Sequence, residues 1–377
     1  MKRVLVTHAG GRLGIGICRN LLASPEPVHV IGVDSDRFEI ARAVADERHL
    51  VPRANDECFI PVLEDIARET RADFVWPCHD NEVAAVARNA ERLGFTTFLP
   101  PHDTVALCHD KLRSHKRLSS RGVPVPATAP VSSPRDLKDA FRDLGPELWV
   151  RATRGAGGRG ALPVSDFNRA RAWIDIHEGW GGFMAAERLP GGRTCLESVW
   201  RRGRLYFAQG NRSFKIGFSN LTLSGVTGLP GVINWTSADS VLETGLAAVR
   251  AVCDEPHGIF SVDMVSDADG QPRVTEINIG RFASGGSIHA RRAGVNVPDI
   301  VTRLAMEEEP GFLPPLVNPL PDDLVIVHGM STESVEMTLE ESECYAEQLE
   351  RRWGTPASVG ALDGTRIQGG AWNPSRV

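Results

Sequence analysis

The stretch Ile259–Arg281, IFSVDMVSDADGQPRVTEINIGR, decides the reading of this chain. Apolar residues recur at Phe260, Val262 and Met264 and again at Val274 and Ile277. Asp267-Ala268-Asp269-Gly270 supplies a turn between them, so the segment is expected to be a β-hairpin. With the strands paired about that turn, Asp263 falls opposite Glu276, and Asn278 lies two residues on, on the same face. Two carboxylates facing each other repel unless a cation lies between them, and a hard divalent ion held by a few protein oxygens and by phosphates is the usual setting of Mg²⁺. Asp263, Glu276 and Asn278 are therefore the candidate metal ligands. The competing reading is a surface hairpin whose acids are solvated.

Upstream, Glu147–Asp166 (ELWVRATRGAGGRGALPVSD) gives a strand, a glycine loop and a second strand. Gly155, Gly157, Gly158 and Gly160 free the backbone, and Arg151, Arg154 and Arg159 flank it, so amides and guanidinium groups could fold over a polyphosphate. A plain glycine-rich hairpin fits the same letters. Before it, His109–Thr128 reads as a helix ending at Gly122 and stopped by Pro124 and Pro126; its Lys111 is one of five lysines. After it, GGFMAAERLPGG suggests an edge strand and a turn, and Thr194–Gly210 suggests a hairpin around Arg202-Gly203.

Residues 3 to 100 alternate apolar runs (RVLVTHA, HVIGVD, DFVWPC, TTFLP) with helical stretches (GIGICRNLLA, FIPVLEDIARET, NEVAAVARNAERL), the pattern of a parallel α/β layer. Its first turn, Gly10 to Gly16, and Asp34 at the end of the second run also allow a dinucleotide-binding reading. The glycine spacing is not that of the usual fingerprint.

Composition narrows the function classes. The chain has 377 residues, 42% of them hydrophobic, enough for two or three cores of ordinary size. A net charge of −6 argues against a nucleic-acid surface. Seven cysteines without a CxxC pair read as reduced thiols in a cytoplasmic protein rather than a disulfide frame or zinc site. The opening MKRVLVTHAG runs directly into a strand, and no apolar run reaches membrane-spanning length, so neither a signal peptide nor a membrane partner is expected.

The order of these pieces, from the parallel layer through the lysine helix, VRATRGAGGRGA and AAERLPGG to D…EIN…R, resembles the ATP-grasp superfamily over roughly residues 1 to 310. The likeness is to single-unit carboxylate–amine ligases with a carbamoyl-phosphate-synthase-like layout, and the spacing from Asp263 to Glu276 also resembles the D-alanine–D-alanine ligase branch. It implies an α/β and α+β architecture: a Rossmann-like pre-ATP-grasp domain (1–105), then an ATP-grasp fold of two α+β subdomains. These are a lysine-helix and glycine-loop part (106–190) and a metal-binding part (191–310), with a C-terminal extension (311–377).

The resemblance also implies roles. Lys111 and Arg151 would contact ATP, the loop Gly155 to Gly160 would close over its phosphates, and Glu187, Arg188 and Leu189 would read adenine. Asp263, Glu276 and Asn278 would hold Mg²⁺, with Mn²⁺ as a substitute, and Arg281 would steady the transferred phosphoryl group. Three positions depart from the family: Arg151 stands where a Lys is usual, Thr194 where a ribose-binding Glu is frequent, and Glu276-Ile277-Asn278-Ile279-Gly280-Arg281 is stretched by one residue. The polar segment Asn211 to Gly231, with the isolated Lys215, is a candidate second lid.

On the substrate side, His79, Asp80 and Glu82 follow the third apolar run at its carboxyl end, where open α/β sheets bind ligands. Asp80 could instead cap a helix starting at Asn81. The segment Ser284 to Ser287 with His289, Arg291 and Arg292 could clamp a carboxylate, with Ser287 and Arg291 foremost, or form a solvated helix face. The tail beyond Pro310 is expected to cover the core or form a homodimer contact. The expected activity is an ADP-forming ligase that joins a small carboxylate to an amine through an acyl phosphate. Bicarbonate activation and, from another class, an NAD(P)-dependent oxidoreductase are the alternatives.

Overall fold

The computed structural model describes residues 1–354 apart from 156–157, 159, 218, 220–221, 225–228, 283–284, 323–324 and 328–338. Its first layer is a parallel sheet of β1 (Lys2–Val6), β2 (Val28–Asp34), β3 (Glu47–Leu50) and β4 (Phe74–Trp76), ordered β3-β2-β1-β4. The strands β1, β2 and β4 are nearly continuous apolar runs because helices cover the sheet. These helices are α1 (Arg12–Leu22), α2 (Phe59–Glu69) and α3 (Asp80–Asn89). Two expectations shift. The run TTFLP forms no strand and contributes one bond, from Val75 N–H to Thr96 O at 2.9 Å. In its place β3, Glu-Arg-His-Leu, forms a sheet edge, where hydrogen bonds to β2 hold residues that hydrophobicity alone does not mark.

Next come α4 (His102–Cys108) and α5 (Lys111–Ser120), the second being the helix expected to end at Gly122. Asp110 breaks the run by capping α5, accepting from Arg113 N–H at 3.0 Å. The chain then leaves α5 at Gly122, which adopts φ +75°.

A second, antiparallel sheet follows, made of β5 (Thr128–Val131), β6 (Leu148–Ala152), β7 (Leu162–Val164) and β8 (Phe183–Glu187) in the order β5-β8-β6-β7. Two helices belong to this part, α6 (Pro134–Leu144) and α7 (Phe167–Ile176). FMAAE is therefore an interior strand, paired on both sides, rather than an edge. Its four successive buried residues Phe183 to Ala186 fit that place better than the polar residues that follow them suggested.

The third sheet holds β9 (Arg193–Arg201), β10 (Arg204–Gly217), β11 (Leu229–Thr236), β12 (Gly258–Ser266), β13 (Pro272–Ile279), β14 (Leu316–Val317) and β15 (Val325–Val327). Its main order is β13-β12-β9-β10-β11-β15, with β14 paired to β10. One face packs Leu196, Trp200 and Val262 against the helix α8 (Asp239–Val252). The other face joins Val199, Phe207, Trp235 and Ile259 to the core of the first sheet, so that core is continuous across both. Both ends of the expected polar lid are strand: Asn211 to Gly217 continue β10, and Leu229 to Gly231 open β11. The pairing of Gly210 with Thr236 through Gly217 with Leu229 outweighs the glycine punctuation.

The helix Leu339–Trp353 returns to the first layer, where Leu349 is buried and Arg352 pairs with Asp65 and Glu69 of α2. All seven cysteines are free. Among the described residues no helix is long and apolar enough to cross a membrane.

Candidate active site

The β12–β13 hairpin places Asp263 directly opposite Glu276 and Ser261 opposite Asn278. A bulge makes this register. Met264 pairs with Val274 while Asp263 pairs with Glu276, so Thr275 is the extra residue. Val274 and Ile277, three apart, can then both face the core, and Glu276 and Asn278 share the opposite face with Asp263. Thr275 is held in place by its hydroxyl, which donates to Asp263 O at 3.1 Å, and by its carbonyl, which lies 2.9 Å from His115 Nε2.

The two carboxylates avoid repulsion by differing in ionisation. Burial and the neighbouring Glu276 charge raise Asp263 to about 7, against opposing contributions from the Cys195 thiol and Arg281. Burial would raise Glu276 as well, but Arg151 and Lys111 outweigh it and hold Glu276 at about 2. Arg151 Nη2 lies 2.5 Å from Glu276 Oε2, and Lys111 Nζ lies 3.7 Å from the same oxygen. Lys111 is the first residue of α5, and its ammonium also donates to Gly155 O at 2.7 Å; burial lowers its pKa. Within the chain itself, an arginine and a lysine already offset the charge of one of the two acids.

A cavity of about 520 Å³ opens over this group and takes its lining from all three sheets. Glu187, Arg188 and Leu189 border it just past β8, where Glu187 Oε1 accepts from Ala127 N–H at 2.8 Å and Arg188 stacks 5.6 Å over Trp149. Thr194, on β9, faces the same space with its hydroxyl buried and without a partner among the described residues. The glycine loop joins β6 to β7; Gly155, Gly158 and Gly160 have φ of +110°, +69° and +70°, and Gly158 reaches the cavity wall. Gly157 lies outside the described residues, as does the side chain of Lys215.

On the first-sheet side, Arg281 Nη2 lies 2.6 Å from Asp80 Oδ1 and donates to Asn278 Oδ1 at 2.8 Å, and Asn278 Nδ2 donates to Asp263 Oδ2 at 3.0 Å. A continuous polar chain therefore joins α3 to the facing carboxylates. His79, not Asp80, caps α3, in a box in which Glu82 Oε2 accepts from His79 N–H at 3.0 Å and from the Thr7 hydroxyl at 2.5 Å. Glu82 is buried there, and burial pushes it up to about 7. Of the remaining candidates, Ser287 is fully buried with its N–H on Glu197 Oε2 at 2.7 Å, and Arg291 is exposed; neither lines the cavity.

Several lining residues escaped the sequence reading. His115 follows Lys111 by one helical turn and so shares its face, a spacing that could have found it; burial lowers its pKa to about 4. Arg193 lies beside Asp263 and Glu276, and Cys195 bonds Asp263. His8 and Arg12 face the cavity from the first glycine turn, brought there by folding alone.

The family described as PylC-like, N-terminal domain, matches residues 4–97. A probable alpha-L-glutamate ligase of Xanthomonas campestris pv. campestris (strain 8004) is 32% identical over 199 residues, 52% of this chain and 65% of that protein. The chain thus covers less than two thirds of the length of the curated relatives it matches first. Two solved structures match most of the chain in fold. The biotin carboxylase domain of 2-oxoglutarate carboxylase from Hydrogenobacter thermophilus, solved with MgADP, ADP and bicarbonate, matches with a TM-score of 0.64 at 18% identity over 82% of this chain and 71% of its own. The L-amino acid ligase of Bacillus licheniformis matches with a TM-score of 0.60 at 17% identity, over 81% and 74%. The chain has the ATP-grasp fold. In this ATP-grasp fold the antiparallel sheets supply the glycine loop and the facing carboxylates, and the parallel sheet supplies the third wall of the cavity.

Proposed function

We propose that the protein is an ATP- and Mg²⁺-dependent ligase that joins a small carboxylate to an amine through an acyl phosphate and releases ADP and phosphate. One observation carries the reading: Glu276 is held ionised by Lys111 and Arg151, from two other elements, on a face it shares with Asp263 and Asn278 and within a cavity bordered by residues 187–189. The naming of the partly matched relative as a ligase supports it.

A hard divalent ion suits these residues. Asp263, raised to about 7, is a buried carboxylate short of positive charge, and Glu276 and Asn278 add two more oxygens of the kind Mg²⁺ takes. Bound there, the ion would neutralise the β- and γ-phosphates and leave the γ-phosphoryl group open to attack by a carboxylate oxygen. The chain's own residues do the rest. Lys111 and Arg151 draw the phosphates toward Glu276, and the segment Glu187 to Leu189 borders the adenine end with Thr194 near the ribose. The turn from Gly155 to Gly160 shields the anhydride from water, and Arg281, fixed by Asp80 and Asn278, offsets charge as the phosphoryl group moves. Lys215, in the segment expected to act as a second lid, is the further catalytic candidate. The working division follows the four segments 1–105, 106–190, 191–310 and 311–377.

Hydroxylamine in place of the amine tests the reaction. With ATP, Mg²⁺ and a panel of amino acids including L-glutamate, the expected result is a hydroxamate with ADP and phosphate, dependent on the correct acid. AMP and pyrophosphate would exclude γ-phosphoryl transfer, and bicarbonate alone driving rapid ADP release would replace the ligase with a carboxylase.

A further inference from the structure

Most cations at the site already have partners, Arg188 on the cavity wall being stacked over Trp149. Lys111 and Arg151 hold Glu276, and Arg281 holds Asp80 and Asn278. Arg193 has no hydrogen-bonded acceptor among the described residues, but it lies in the field of Asp263 and Glu276, which offsets its charge. Arg12 is different. It stands at the start of α1 and lines the cavity with His8, Leu13, Cys78 and His79, which also come from the first domain layer. It makes no hydrogen bond or ion pair with any described residue. Glu197 is the acidic group that compensates it through space, and the nearby Arg281 charge works against that compensation. Burial lowers its pKa, so the guanidinium is drawn out of water without a hydrogen-bonded counter-ion. Gly285, at φ +75°, leaves the space the guanidinium occupies, because a Cβ there would lie 3.1 Å from Arg12 Nη1. Gly11 before it contributes no side-chain cap, so the positive end of α1 adds to the same potential.

We propose that Arg12 binds a carboxylate that the reaction leaves intact, so that at least one of the two substrates is an amino acid or another acid with a carboxylate to spare. The proposal rests on the ligase reading and deepens it. A planar guanidinium offers two parallel N–H donors that match a carboxylate. A phosphomonoester dianion would call for a second uncommitted cation, and Arg281, the nearest, already serves Asp80 and Asn278. Bound at Arg12, the carboxylate would anchor the substrate on the first-sheet wall of the cavity, with its reacting group toward Asn278 and Arg281.

The test screens pairs of the twenty L-amino acids for ADP release by the full chain with ATP and Mg²⁺. The hydroxamate formed with hydroxylamine identifies which amino acid is the acid and which of its carboxylates reacts; each carboxylate left over is then replaced by a carboxamide. In the wild-type enzyme that replacement should raise KM roughly ten- to hundredfold, the loss of one charge-assisted pair. Arg12→Ala should raise the KM of the parent amino acid to a similar degree and add little for the carboxamide, with the ATP KM unmoved. Arg12→Lys should recover part of the loss. Equal discrimination in wild type and Arg12→Ala overturns the inference, and so does an Arg12→Ala defect confined to ATP. Efficient use of substrates with no spare carboxylate does the same. If the wild-type enzyme releases ADP with its acid and Arg12 proves silent, only this inference falls; no ADP with any pair removes the ligase reading as well.

Discussion

A Cβ added at Gly10 would lie 1.8 Å from Glu39 O, and one at Gly14 would lie 2.2 Å from His8 O, whereas one at Gly155 would meet nothing within 4 Å. Both glycine-rich turns border the cavity, yet the first uses glycine to let backbones touch and the second uses it to reach left-handed φ in open space. The acids beside them differ in the same sense. Asp34, buried and bonded by Gly10 N–H at 3.1 Å, and Glu82 are both raised by burial, so the first turn sits among carboxyls whose charged form the surroundings disfavour. Beside the second turn, Glu276 is held down to about 2 by Arg151 and Lys111, despite its burial. A packed turn with neutral-leaning acids builds structure; an open turn next to fixed charge is suited to receiving a polyanion. The packing also leaves Asp34 turned into its own loop rather than toward a ribose, which removes the footing of the dinucleotide reading.

The contrast is most exposed at the carboxylates. Glu276→Gln should lower turnover on the order of a hundredfold or more, and should also lower the melting temperature at neutral pH, because Arg151 and Lys111 lose their shared partner. Asp263→Asn should abolish Mg²⁺-dependent turnover while leaving the melting temperature unchanged or higher, since burial and the Glu276 charge already work against its ionised form. Calorimetry that shows the same stability change for both variants would break the assignment of opposite charge states.

Lys111→Ala or Arg151→Ala should each weaken ATP binding by about 1.5–3 kcal/mol, as the loss of a charge-assisted contact, and titration with ATP reads it directly. An unchanged affinity in both would detach the second turn from the nucleotide. Gly14→Ala should cost about 1–3 kcal/mol of stability, because backbone atoms cannot yield as side chains do. Gly155→Ala should cost about 1 kcal/mol from its φ alone, and its larger effect should fall on the nucleotide KM. Equal melting temperatures for the two alanine variants would erase the difference between the turns.

The smallest effect concerns pH. Glu82 is raised from about 4.5 when unfolded to about 7 when folded, so its contribution to stability is complete below pH 4.5 and is lost as pH rises through 7. Glu82→Gln should flatten that slope and gain about 1–3 kcal/mol at pH 8 relative to wild type. Denaturant titrations from pH 4.5 to 8 give the comparison, and a slope that survives the substitution assigns it to Asp34 instead.

What the sequence disclosed was whatever sits close together along the chain. Asp263, Glu276 and Asn278 could be paired on paper because one hairpin joins them, and Lys111 stood out as a rare residue at a helix start. Long-range burial was hidden. FMAAE reads as an edge, yet β5 and β6 flank it, and Glu-Arg-His-Leu is not among the apolar runs because its strand is fixed by bonds to β2 rather than by apolar faces. Arg12, Arg193 and Cys195 come to the cavity from strands and turns far apart in sequence, and no local spacing marks them. Glu82 and Ser287 carried polar letters that suggested exposure, but each serves a buried hydrogen bond.

Thr275 gives the hairpin a parity. Every residue of β13 after it faces the way it does because one position was inserted there; without it, Glu276 and Asn278 would turn toward α8 and Ile277 toward the cavity. Deleting Thr275 should therefore act on the metal-facing set as a whole, while a compensating one-residue insertion before Glu276 should restore it with little regard to the inserted side chain. Point substitutions elsewhere in the hairpin can be tolerated or lost one at a time. Length in this short stretch is the inherited quantity, and lineages that vary it by one residue would have to rebuild the site from other positions.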